Sequence, residues 1–228
     1  MRKRELELAM ALIMIIILSM YARNVGDMAV SVMEIKKSQV VVIDPGHGGF
    51  DPGKVGVNKA LEKDINLSIA LNLKELLEQE GILVIMTREE DVGLYKETDS
   101  NKKVSDMKKR CEIIDESNCD LAVSIHQNSF SSASISGPQV FYFETSIEGQ
   151  RLASIIQKQL IDILKPKKER VEKADNNYYM LKKVKTPSVI IECGFLSNAE
   201  EAMLLTEGNY QEKIALAIKN GILEYLKK

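Results

Sequence analysis

From residue 39 to the C-terminus, short apolar runs that end in turn-forming or polar residues alternate with stretches of helical periodicity. This alternation limits the fold more than any other property of the chain. Gln39–Ile43, Ile82–Met86, Leu121–Ile125, Gln139–Phe143 and Ser188–Ile191 read as strands, the last beginning after Pro187, where a proline is tolerated. Between them Ile65, Ile69, Leu73, Leu76 and Leu77 share one helix face, and Gly81 stops that helix. Val104–Glu116 and Ile147–Leu164 carry the same 3.6-residue pattern, as does a last helix over about Tyr210–Leu226. Asn198 followed by Glu201 is a helix-start signature ahead of Met203, Leu204 and Leu205. Strands that are apolar on both sides must be covered on both sides. The expected fold is therefore α/β: a largely parallel, mixed sheet with helices on both faces, in a single catalytic domain over residues 38–228.

Residues 1–37 read differently. Met1–Glu5 is basic, and Leu8–Leu18 is apolar without interruption, continuing through Ser19 to Ala22. A charged segment followed by an apolar one addresses a chain to a membrane. The run is short against the roughly 20 residues of an ordinary span, which points to a signal peptide or a minimal membrane anchor with a short linker. Ala29-Val30-Ser31 is the nearest approach to a cleavage site and has Ser where Ala is usual, so an uncleaved anchor is expected ahead of a cleaved signal. The basic Arg2–Arg4 cluster should stay in the cytoplasm, placing the domain on the outer side of the cytoplasmic membrane.

The 228 residues carry 31 basic and 33 acidic side chains, scattered as on an ordinary solvated surface, so no nucleic-acid partner is expected. Lys165–Arg170 is basic but contains Pro166 and reads as a surface loop. Cys111, Cys119 and Cys193 are odd in number with no C-x-x-C pair, and are expected as small core residues rather than a disulfide or zinc framework.

In open α/β sheets, ligands gather beyond the carboxyl ends of the strands. The only two histidines of the chain, His47 and His126, follow the first and third predicted strands, and Glu192 follows Ser188–Ile191. Two imidazoles and one carboxylate are a standard catalytic zinc set, with a position left open for water. Glu62 is the candidate for the carboxylate, since it opens the helix after the glycine loop and can return beside His47; its other reading is a first-turn glutamate complementing the helix dipole. Glu192 follows an apolar run and is either a partnered structural ion or a general base. Gly46, Gly48 and Gly49 either let the backbone approach a bulky glycan or close a tight turn. The loop lacks the spacing of either common phosphate-binding motif.

Taken together, VVIDPGHGG (Val41–Gly49), LEKDINL (Leu61–Leu67), TRE (Thr87–Glu89), Arg110, SIHQNSF (Ser124–Phe130) and IECGFLSN (Ile191–Asn198) resemble the zinc-dependent N-acetylmuramoyl-L-alanine amidases of the Amidase_3 family. The resemblance implies one Zn2+ per chain held by His47, Glu62 and His126, with Glu192 catalytic. It implies hydrolysis of the amide between N-acetylmuramic acid and L-alanine in peptidoglycan glycan strands. Within the family the likeness is to the small anchored spore-cortex amidases, which implies release of stem peptides for muramic δ-lactam formation, with the forespore intermembrane space as one place of action and an accessory or activating protein as a further partner. The alternative is an inactive cell-wall-binding or scaffold protein of the same fold. Long members of the family carry an inhibitory helix where this chain has only Ser129–Gly137, so self-inhibition by that device is not expected.

Overall fold

The computed structural model describes residues 2–32 and 39–227. The chain falls into two units divided between residues 37 and 38. In the first, helix α1 spans Arg2–Val32, and part of the expected linker lies outside the described residues. No helix among the described residues is long and apolar enough to cross a membrane.

The second unit runs β1 (Val40–Pro45), α2 (Glu62–Gln79), β2 (Leu83–Met86), α3 (Lys102–Glu116), β3 (Leu121–Asn128), β4 (Gln139–Tyr142), α4 (Ile147–Leu164), β5 (Lys173–Ala174), α5 (Tyr179–Lys183), β6 (Ser188–Phe195), α6 (Ala199–Leu204) and α7 (Gly208–Leu226). Its six-stranded sheet has the order β2-β1-β3-β6-β4-β5. Every pairing is parallel except β4 with β6, so the sheet is mixed and mostly parallel, as expected.

Alternation along the strands sorts side chains onto two faces. Val41, Ile43, Leu121, Val123, Ile125, Val189 and Ile191 join the apolar faces of α2, α4 and α7 in the main core. Val42 and Ala122 point the other way, against Cys111 and Ile114 of α3 and Met180 of α5. Fully burying one such aliphatic side chain is worth about 1.5–3 kcal/mol, so both helix layers are held chiefly by these residues. Cys111, Cys119 and Cys193 are buried free thiols.

Three details depart from the sequence reading. The strands β3 and β6 outrun their apolar stretches, continuing through Asn128 and Phe195, because they pair with each other in parallel. His126 and Glu192 therefore lie within strands rather than after them. The elements β5 and α5 were not expected, since two and five residues are too short to show a period. Finally, Asn198 caps α6 by accepting from Glu200 N and Glu201 N, but Glu201 does not return the bond. Its carboxylate instead accepts from Phe195 N and Gly137 N at 2.8 Å each, tying the Ser129–Gly137 loop to β6.

Candidate metal centre and active site

His47 sits just past β1 in a left-handed backbone conformation, φ 62°, which is uncommon outside glycine and persists only where its surroundings enforce it. Two buried arginines do so. Arg110 of α3 donates to the carbonyl oxygens of Pro45 (2.7 Å) and His47 (2.6 Å), and Arg88, after β2, donates to those of Pro45 and Gly46 (3.0 Å each). Arg110 is itself paired with Asp44 and Asp106 at 2.6 Å. Asp44 also accepts from Thr87 Oγ1 and Ser124 Oγ at 2.6 Å. Burial alone would raise the Asp44 pKa, but the Arg110 charge and these hydroxyls hold it below the usual carboxylate range. The Asp44 and Asp106 carboxylates in turn keep Arg110 protonated against the opposing effect of its burial.

The loop that follows packs tightly on the site. The Cβ of any residue replacing Gly46 would stand 2.2 Å from the His126 ring. The space beside Gly46 is thus filled by the protein's own imidazole rather than left for a glycan. At Gly53, φ 69°, an added Cβ would stand 2.5 Å from Glu62 Oε2 and 2.7 Å from the His47 ring. Both glycines permit the backbone to touch the candidate ligands.

Glu62 is the first residue of α2, yet its side chain is 2% exposed and turns to the two histidines instead of solvent. Oε2 lies 3.2 Å from His47 Nε2, and Oε1 lies 3.0 Å from His126 Nδ1. Backbone donors complete it: Lys54 N reaches Oε2 at 2.7 Å and Gln127 N reaches Oε1 at 3.1 Å. Burial alone would raise its pKa, but the hydrogen bonds and charges of His126 and His47 outweigh this and hold it well below the usual range. His126 is raised in turn: its burial favours the neutral ring, and the Glu62 partnership overrides that. The other nitrogen of His47, Nδ1, faces Asp51 Oδ2 at 3.0 Å, a second carboxylate that fixes the ring's orientation.

Glu192 stands opposite His126 in the β3–β6 register. Its Oε1 accepts from the Tyr178 hydroxyl at 3.1 Å, while Oε2 is buried with no hydrogen-bond partner. Burial raises the Glu192 pKa, the nearby Glu62 charge adds to this, and His126 opposes it. All four candidate residues line one cleft of about 340 Å³, together with Lys54 and Tyr178.

Can this group hold a metal? One ligand atom from each of His47, Glu62 and His126 lies within 4.8 Å of the others, a carboxylate between two imidazole nitrogens. That donor set suits a divalent ion such as zinc, and the unpartnered oxygen of Glu192 beside it is a group with no structural employment. The sequence placed His47, His126 and Glu192 at one edge of the sheet, with Glu62 returning from the following helix beside His47, and missed Asp51, Tyr178 and the roles of Arg88 and Arg110. Asp51 lies four residues after His47, which is a usable signal. Nothing local marks Tyr178, which arrives through β5 and α5.

An α/β sheet whose central strands bring two imidazoles to a helix-borne carboxylate, with a buried glutamate alongside, has the equipment of a metal-dependent hydrolase. Comparison with known proteins makes the class specific. Residues 41–224 match the Amidase_3 model, described as N-acetylmuramoyl-L-alanine amidase; the chain belongs to this family and is a peptidoglycan amidase. It is 40% identical over 190 residues to the germination-specific N-acetylmuramoyl-L-alanine amidase of Bacillus subtilis, covering 82% of this chain and 79% of that protein. Among solved structures it is similar to the CwlD amidase of Clostridioides difficile in complex with the GerS lipoprotein, with a TM-score of 0.80, 45% identity, and coverage of 83% of this chain and 98% of that one. An N-acetylmuramoyl-L-alanine amidase from Clostridium difficile 630 is also similar, at TM-score 0.74 and 31% identity, with 84% and 98% covered. The likeness within the family drawn from the chain's small anchored form agrees with these relatives, one a germination-specific amidase and one a CwlD amidase.

Proposed function

We propose that the chain hydrolyses the amide between the lactyl group of N-acetylmuramic acid and L-alanine in a zinc-dependent reaction, with His47, Glu62 and His126 as ligands and Glu192 as general base. The observation that carries this reading is the meeting of three donor atoms within 4.8 Å beside a buried carboxylate oxygen that has no partner. Zinc held there would supply Lewis acidity, polarising the amide carbonyl and lowering the pKa of water to near neutrality. Glu192 Oε2 accepts the attacking water's proton and delivers it to the departing L-alanine nitrogen as the C–N bond breaks. Asp51 keeps the His47 ring oriented, and Arg88 and Arg110 hold the backbone that carries it.

The further reading is release of stem peptides in spore cortex, where the freed muramic acid carboxyl becomes available for δ-lactam formation. It is supported by the similarity to a germination-specific amidase. We assign residues 1–37 to a signal peptide or membrane anchor and 38–228 to the catalytic domain. This puts the enzyme outside the cytoplasmic membrane, in a sporulating cell between the two forespore membranes. The basic start and the apolar run of the sequence support it, as does the exposure of Leu12–Leu18 on α1. An accessory lipoprotein is proposed as a partner because the similar C. difficile amidase was solved in complex with one.

The test is mass spectrometry of defined muropeptides incubated with the purified chain, with zinc and after chelation. Free stem peptides beginning with L-alanine, formed only with metal, are expected. Intact muropeptides in both arms would overturn the reaction, and equal cleavage after chelation would overturn the zinc.

A further inference from the structure

The segment from β5 to α5 forms a wall of the cleft, and one of its residues touches the candidate base. Tyr178 precedes α5 and is held on two sides. Its ring packs on Phe141, with centroids 5.4 Å apart, against the small apolar cluster of Phe141, Leu181 and Ile190. The preceding turn is fixed by Asp175 N donating to Tyr142 O at 2.9 Å and Asn177 N donating to Asp175 Oδ1 at 2.6 Å. A ring so held aims its hydroxyl in one direction, and Glu192 Oε1 lies there at 3.1 Å. A phenol is protonated at neutral pH, so it donates and the carboxylate accepts. The two oxygens of Glu192 are thereby made unequal: one is hydrogen-bonded, and the other is buried without a partner in the cleft that holds the two histidines and Glu62.

We infer that Tyr178 is a positioning residue for the reaction, fixing the Glu192 carboxylate through Oε1 so that Oε2 is the oxygen that exchanges the proton. This rests on the reading of Glu192 as general base. Without the hydroxyl the carboxylate can rotate about its last bond, and the fraction of molecules with a correctly placed acceptor falls. The phenol ring itself fills the wall, so removing only the oxygen leaves the packing intact.

The experiment compares Tyr178→Phe, Glu192→Gln and the double variant with the unaltered full chain, each loaded with zinc. It reads kcat and KM on a muramoyl peptide, bound zinc by metal analysis, and thermal unfolding. For Tyr178→Phe, kcat should fall on the order of 10- to 100-fold, the scale of a hydrogen bond to a charged group, with KM, zinc content and unfolding temperature unchanged. In the Glu192→Gln background the same change should have almost no effect, because the group being positioned is gone. An unchanged kcat in Tyr178→Phe, a rise in KM alone, or an equal loss in both backgrounds would overturn the inference while leaving Glu192 as the base. Full activity in Glu192→Gln would overturn the base assignment itself, and the positioning role with it.

Discussion

Along β1, β3 and β6, successive side chains alternate between a face sealed by α2, α4 and α7 and a face that changes character along its length. The first face is apolar through Ile43, Ile125 and Ile191, and turns polar only at the end of β3, where buried Gln127 donates to Asn66 of α2. The second begins with Val42, Ala122 and Ile190 and continues, two residues on, with Asp44, Ser124 and Glu192, then His126. Buried polar groups are costly unless partnered, and nearly all of these are partnered: Asp44 by Arg110, Thr87 and Ser124, and His126 by Glu62. The Oε2 of Glu192 is the exception. The difference teaches that one strand set can serve two ends, because a period of two lets stability and chemistry occupy opposite sides of the same backbone.

If that division holds, changes on the two faces should separate activity from stability. The largest effect is expected at Glu192→Gln, which should lower kcat by about 10² to 10⁴ while keeping zinc and the fold. Glu62→Gln should instead weaken zinc binding, with activity partly restored by excess zinc. A zinc titration of both variants followed by turnover decides between them; rescue of Glu192→Gln alone would mean that the two roles are exchanged.

Asp44→Asn should break the division in an informative way, since it removes a buried charge that faces Arg110. A loss of about 3–5 kcal/mol is expected, read from urea unfolding, together with weaker zinc binding as the His47 backbone loosens. Its pH dependence has a definite sign. The Asp44 pKa is lowered in the folded protein, so its stabilisation is fully present above the unfolded value of about 3.9 and disappears as pH falls through the folded one. The variant's stability should therefore vary less with acid than that of the parent.

On the sealed face, Leu73→Ala should cost about 2–5 kcal/mol with kcat per folded molecule unchanged, measured by denaturation and active-site-normalised turnover. A fall in kcat would show that the two faces are coupled. The smallest effect is expected at the α6 cap, where Asn198→Ala should cost about 0.5–2 kcal/mol in thermal or urea unfolding and leave zinc binding intact.

What could be read in advance follows the same physical line. The central strands and the long helices were legible because burial writes a period into the sequence, and Ile147–Leu164 agrees with α4 at both ends. The positions of His47, His126 and Glu192 were legible because polar residues interrupt apolar runs at one edge of the sheet. Contacts made across the fold left no local trace. Arg110 meets the His47 carbonyl from 63 residues away, and Tyr178 meets Glu192 through an edge strand of two residues. The expected reciprocal cap at Glu201 failed for a related reason: two backbone amides from β6 and the Gly137 loop claimed the carboxylate first.

The place of β6 in the sheet carries a consequence for how the enzyme comes into being. This strand belongs to the last part of the chain, residues 188–195, yet it is inserted between β3 and β4. Until it is synthesised, β3 has one unpaired edge and β4 has no neighbour linking it to the parallel strands. The nascent polypeptide can build β2, β1 and β3 in sequence, but the sheet closes only when its C-terminal region threads into the middle. Glu192 rides on that closing strand, so a truncated or partly emerged chain lacks the residue proposed to drive the chemistry. Sheet and candidate site are thereby tied together: the glutamate reaches the histidines only with the strand that joins the two parts of the sheet.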